Sequence, residues 1–133
     1  GPLGDRGKGA RMSQTLFQKY GGFGAVSRIV MDFYDKALES DQIGDYFEHA
    51  EIAKLIDHQT KFVSSLLGGP AAYTDRQLGQ LHHHLAISDA DFDEMSKLLG
   101  ESLREHGMDA ADVAHVAAEI EARRAVIVAR SAA

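Results

Sequence analysis

The chain contains no cysteine, no tryptophan, only two prolines and no long apolar run. Without cysteine it can hold no disulfide, no thiolate zinc site and no cysteine nucleophile. Of the prolines, Pro2 and Pro70, only the second lies beyond the first few residues. Most of the chain therefore lacks the residue that most strongly interrupts a helix. No apolar stretch approaches the ~18 residues of a membrane span, so none is expected. Basic residues are also scarce, with 14 Lys and Arg against 20 Asp and Glu and a net charge of −6. The first eleven residues, GPLGDRGKGAR, carry no apolar pattern and look like an expression-tag remnant, expected to be disordered. Setting aside Asp5, Arg6, Lys8 and Arg11 leaves 11 basic and 19 acidic residues over 12–133, a balance of −8. Such a chain is poorly suited to nucleic acid or to anionic membrane surfaces. The lack of a signal-like segment predicts a cytoplasmic location.

What is present is helical periodicity over a length suited to one domain at 12–133. A short first helix is expected at Ser13–Tyr20, ending at Gly21-Gly22. The next runs from Phe23 to Ser40, with Val26, Ile29, Val30, Phe33, Tyr34, Ala37 and Leu38 on one stripe. A third places Ile52, Leu55, Ile56, Gln59, Phe62, Val63 and Leu66 on one face before Gly68-Gly69-Pro70 stops it. A loop leads through Thr74 to a short helix carrying Leu78, Leu81, His82 and Leu85. Ser88 is placed to cap a long helix from Asp89 to His106, with Asp89 and Asp91 in its first turn. Gly107 ends that helix, and the last runs from Ala110 to Ala129. No strand-type alternation persists, and the fold class is all-α.

Three polar residues fall on stripes that otherwise bury: Tyr34, Gln59 and His82. His82 opens the run His82-His83-His84 and shares a face with Leu78 and Leu85. Successive helical side chains diverge by about 100°, so the three histidines cannot converge on one ion. His84 pairs with Gln77 and Gln80 on the wetter side, and His83 lies between. Singly, each buried polar residue has a structural explanation, as a rim tyrosine, a carbonyl-satisfied glutamine or a packed histidine. Together they point to something polar inside the core, since an unsatisfied buried group costs ~1–3 kcal/mol.

Conventional catalytic patterns do not form. Asp57 and His58 are adjacent on a helix and do not face each other. The stretch DADFD at 89–93 lacks the glycine and terminal glutamate of an EF-hand loop. No P-loop, Rossmann glycine pattern, HExxH or serine elbow occurs.

Several short pieces recur in an order that carries a family signal. They are YGGFGAV, IVMDFYDKAL, Tyr46-Phe47, HQTKF, LGGP followed by YT, H-x-x-L-x-I, and Phe92-Asp93. With the double glycines at 21–22 and 68–69, they make residues 15–128 resemble the group I truncated haemoglobins. That resemblance implies a truncated globin fold, a two-over-two helical sandwich around a haem b. It implies His82, five residues before Ile87, as the proximal iron ligand. It implies Phe33, Phe47, Leu55, Phe62, Leu78, Phe92 and Met95 as apolar contacts of the haem. Tyr34 and Gln59 match the family's distal hydrogen-bonding pair, which stabilises the partial negative charge of bound O2.

His58 directly precedes Gln59, as in cyanobacterial members where that histidine becomes a sixth iron ligand. At this stage it stands equally as a ligand or as a residue at the haem rim. Those relatives can also attach haem through a last-helix histidine. EARRAVIV has none and His115 lies too early, so the haem is expected to be non-covalent. The implied function is binding of O2, NO or CO, extending to nitric oxide dioxygenation with a separate reductase. A gas or redox sensor domain detached from an output domain is the alternative, and a haem-free helical binding module is a third class.

Overall fold

The computed structural model describes residues 14–70, 74–82 and 85–128, and the expected tag at 1–11 lies outside that range. The described residues form helices and no strands. The elements are α1 (Leu16–Lys19), α2 (Gly22–Glu39), a 3₁₀ turn (Gly44–Phe47), α3 (Ile52–Leu66), α4 (Asp75–His82), α5 (Asp89–Glu105), α6 (Ala110–Glu121) and α7 (Arg124–Ile127). Helix α2 packs on both α3 and α5, while α6 packs on α5 and reaches α3. The pair α2/α3 thus lies over the pair α5/α6. Helix α4 stands apart from this square and packs on α7.

The stripe expected on α2 is the centre of the core, with Val26, Ile29, Val30, Phe33, Tyr34 and Ala37 all buried. Full burial of each large apolar side chain is worth ~1.5–3 kcal/mol. Leu38, placed on the same stripe, is exposed instead. It sits at the last turn, where Ile43 takes the buried position as the chain reverses.

Local chemistry sets the helix ends. Thr15 and Gln18 form a reciprocal capping box at α1, with bonds of 3.0 and 3.1 Å between each backbone N–H and the other's side chain. Ser88 caps α5 by accepting from the Asp91 N–H at 3.1 Å. After α3, Gly68 takes a φ of +82° and the chain turns close against α1. A Cβ on Gly69 would lie 2.8 Å from the Ser64 carbonyl oxygen and 2.9 Å from Phe17 Cδ1. Only glycine fits there without displacing backbone.

Two elements differ from expectation. The 3₁₀ turn at Gly44–Phe47 carries no periodic apolar signal in the sequence. The last helix, expected to be continuous from Ala110 to Ala129, breaks after Glu121 and resumes at Arg124. The break follows from tertiary contacts. Arg124 turns back to α5, where it pairs with Asp89 and Asp93 and stacks over the Phe92 ring at 4.4 Å. The same redirection brings Val126 against α4, where a Cβ on Gly79 would sit 3.5 Å from Val126 Cγ1.

Two buried hydroxyls on α3, those of Thr60 and Ser64, have no hydrogen-bond partner among the described residues.

Candidate functional site

The square of helices leaves an apolar cavity of about 190 Å³ to which α4, the 3₁₀ turn and α7 also contribute lining residues. Its wall includes Phe33, Phe47, Leu55, Phe62, Phe92 and Met95, six of the seven apolar contacts expected from sequence. Leu78 is the exception: its side chain is buried but lies outside the lining. What Leu78 offers the site is its backbone, as described next.

His82 closes α4 and lines the cavity. Its Nδ1 lies 2.8 Å from the Leu78 carbonyl oxygen, one helical turn back. A carbonyl can only accept, so Nδ1 carries the proton and Nε2 is left as the basic nitrogen. That assignment also fixes the ring's rotation, the usual second contact of a metal-binding imidazole. His83 and His84 lie outside the described residues.

Tyr34, from α2, and His58 and Gln59, from α3, line the same cavity. The Tyr34 ring is held edge-on between Phe33 and Phe47, at centroid distances of 5.0 and 5.5 Å. Burial pushes the Tyr34 phenol well above its ordinary range, and interaction with the Gln59 amide opposes that shift only in part. The phenol therefore stays protonated and remains a hydrogen-bond donor at any physiological pH. His58 is exposed and borders the cavity beside Gln59, so the structure brings all four polar candidates to one space.

Other lining residues were not expected from sequence. Val30, Val63, Leu85, Ile87 and Leu99 extend the apolar wall. Ile120 and Ile127 do so from either side of the break after α6, and their seven-residue spacing was a signal available in the sequence. Ser96 adds one small hydroxyl from α5. Tyr46 also lines the cavity, and its hydroxyl donates to Asp91 Oδ2 at 2.5 Å. Among the described residues no group of three or more His, Cys, Asp or Glu is arranged to hold a bare metal ion. None of the described helices is long and apolar enough to cross a membrane.

An all-helical two-over-two frame around an apolar slot, with one tautomer-fixed histidine in its wall, defines a globin. A sequence model of the family described as bacterial-like globin matches residues 15–128. The group 1 truncated haemoglobin of Tetrahymena thermophila is 30% identical over 114 residues, covering 86% of this chain and 94% of that protein. The Fe(III) truncated haemoglobin structure from Tetrahymena pyriformis superposes with a TM-score of 0.79 at 28% identity, over 88% of this chain and all of that one (100%). The two-over-two haemoglobin of a Synechococcus species, solved in the cyanomet state with covalently attached haem, gives a TM-score of 0.80 at 25% identity, covering 88% and 100%. The chain therefore belongs to the bacterial-like globin family, and it is a haem-binding globin of the truncated haemoglobin type.

Proposed function

We propose that this globin holds a haem b non-covalently in the cavity and uses it to bind O2 and other diatomic gases. The observation that carries this reading is the meeting of His82, with Nδ1 committed to a carbonyl, and the donors Tyr34 and Gln59 in one apolar cavity. The wall chemistry fits a flat, largely apolar macrocycle, and the imidazole fits an iron at its centre. When bound, haem supplies an iron that takes up a diatomic gas and exchanges an electron.

The protein's own residues do the rest. His82 would hold the haem iron through Nε2. The Tyr34 hydroxyl and the Gln59 amide donate to a ligand that gathers negative charge, in surroundings where such bonds are strong. The apolar walls exclude water, which would compete for those donors and speed oxidation. His58 brings a second imidazole to the cavity wall, where it would be an internal ligand to a bound haem and would lower apparent gas affinity by the fraction of protein in the open state. Non-covalent attachment is supported by His115 being exposed on α6, away from the lining, with no histidine on α7. The same site suits conversion of O2 and NO to nitrate, with one electron per cycle returned by a separate reductase.

Titration of the haem-free protein with haemin tests the reading. A saturable Soret band at one haem per chain, weakened severely in His82→Ala, is the expected result. No Soret band in the parent protein would remove the proposal.

A further inference from the structure

The 3₁₀ turn Gly44–Phe47 and the start of α5 come from distant parts of the chain and meet at the cavity. Each contributes an aromatic wall, Phe47 from the turn and Phe92 from the helix. Between these walls lies a polar contact that the gas-binding reading leaves unused. Tyr46 lines the cavity and extends its hydroxyl to Asp91 Oδ2 at 2.5 Å. Asp91 Oδ1 accepts from Gln42 Nε2 at 2.9 Å, and the same amide donates to the Ala90 carbonyl at 3.1 Å. The Asp91 N–H in turn donates to Ser88 Oγ, which ties the carboxylate to the helix cap.

A four-residue 3₁₀ turn has little stability of its own, because such hydrogen bonds have poor geometry and few of them form. Its position must come from what it touches. Tyr46 is part buried and Asp91 is only half-exposed, so their bond is sheltered and charge-assisted. Gln42 adds a second strap from the segment that leads into the turn. The neighbours of Tyr46 and Asp91 in sequence, Phe47 and Phe92, are the aromatic walls themselves. Moving either strap residue therefore moves a wall.

We infer that Tyr46 and Asp91 form a clasp that sets the spacing of the Phe47 and Phe92 walls, and so governs how firmly the cavity grips a planar macrocycle. Tyr46 and Asp91 are positioning residues in this arrangement, and the inference rests on the haem reading above. It goes beyond that reading by placing control of cofactor retention in a polar contact that involves none of His82, Tyr34 and Gln59.

The test uses the haem-loaded protein and the variants Tyr46→Phe, Asp91→Ala and Asp91→Asn. Haem transfer to an excess of haem-free myoglobin gives the loss rate. Soret-region circular dichroism gives the placement of aromatic rings around the porphyrin, which a general loss of stability does not alter in molecules that stay folded. Tyr46→Phe and Asp91→Ala are expected to lose haem about tenfold faster and to change the Soret dichroism. Asp91→Asn keeps an oxygen for the phenol to donate to and is expected to stay within about threefold of the parent. The Tyr46→Phe/Asp91→Ala double variant is expected to be no faster than Asp91→Ala alone, since that change already breaks the bond to Tyr46 as well as the one to Gln42. Unchanged rates and dichroism in the single variants would overturn the clasp, and so would additive effects in the double variant. A parent protein that takes up no haem would instead overturn the haem reading, and the clasp with it.

Discussion

His82 Nδ1 and the Leu78 carbonyl oxygen stand 2.8 Å apart, one helical turn from each other at the end of α4. The bond places a proton on Nδ1 and fixes the ring's orientation, which suits the proposed role of His82 as the iron ligand. In His82→Ala both the ligand and its tether are lost. The expected outcome is a haem affinity lower by orders of magnitude, measured by Soret titration, with the far-ultraviolet helical signal of the apo-protein retained.

Tyr34 and Gln59 are expected to slow gas release. Each lost donor to a charged ligand is worth ~1–3 kcal/mol, so Tyr34→Phe and Gln59→Ala are each expected to speed O2 dissociation about tenfold or more. Stopped-flow displacement of O2 by CO measures this. Off-rates equal to the parent in both variants would remove the pair from its assigned role.

His58 is tested by absorption spectra of the ferric and ferrous protein without added ligand. A six-coordinate low-spin parent that turns high-spin in His58→Ala is expected. A parent that is high-spin from the outset would leave this residue at the rim of the cavity.

The hydroxyl of Ser64 is fully buried and, among the described residues, has no hydrogen-bond partner, as is also the case for Thr60 one turn away. Removing it takes away a desolvated polar group and leaves the Cβ packing intact. Ser64→Ala is therefore expected to stabilise the protein by about 1 kcal/mol, read from the denaturant midpoint. A lower midpoint would show that the hydroxyl is satisfied in solution.

Asp112 should contribute to the acid sensitivity of the fold. It accepts from the Tyr20 hydroxyl at 2.5 Å and from Lys19 Nζ at 2.9 Å, which join the chain's first helix to α6. The Tyr20 hydrogen bond, followed by that of Lys19, lowers the folded-state pKa of Asp112 below its ordinary value of 3.8. A depressed carboxylate contributes its stability above the unfolded value and loses it as pH falls through the folded one. The loss therefore falls at and below about pH 4. In Asp112→Asn, stability at neutral pH should drop and the acid limb of the unfolding curve should flatten. An unchanged acid limb would assign the sensitivity elsewhere.

Much of this site was legible in the sequence because polar groups stood out on apolar stripes. Tyr34, Gln59 and His82 broke the period of three separate helices, and the fold brought them to one cavity. Leu78 shares a helical face with His82 and is buried, yet its side chain is outside the cavity lining, because burial on a face does not say which cavity that face lines. Tyr46 stood out only as part of the Tyr46-Phe47 piece, and its contact with Asp91, 45 positions away, was not legible in the sequence. The break before Arg124 was equally hidden, since EARRAVIV continues a good helical pattern. It comes from the attraction of Arg124 to Asp89, Asp93 and the Phe92 ring, which only the folded chain assembles.

The contact between Gly79 and Val126 has a practical bearing on how this protein is handled. Helix α7 is only four residues long and rests on the helix that carries His82. A reporter dye or surface linker placed on α7 would bear on that contact and so on the helix that carries His82. Attachment at the exposed Ala111 corner, at the opposite end of α6, would leave the Gly79–Val126 contact undisturbed. Labelling and immobilisation chemistry for gas-binding measurements therefore belongs at that corner.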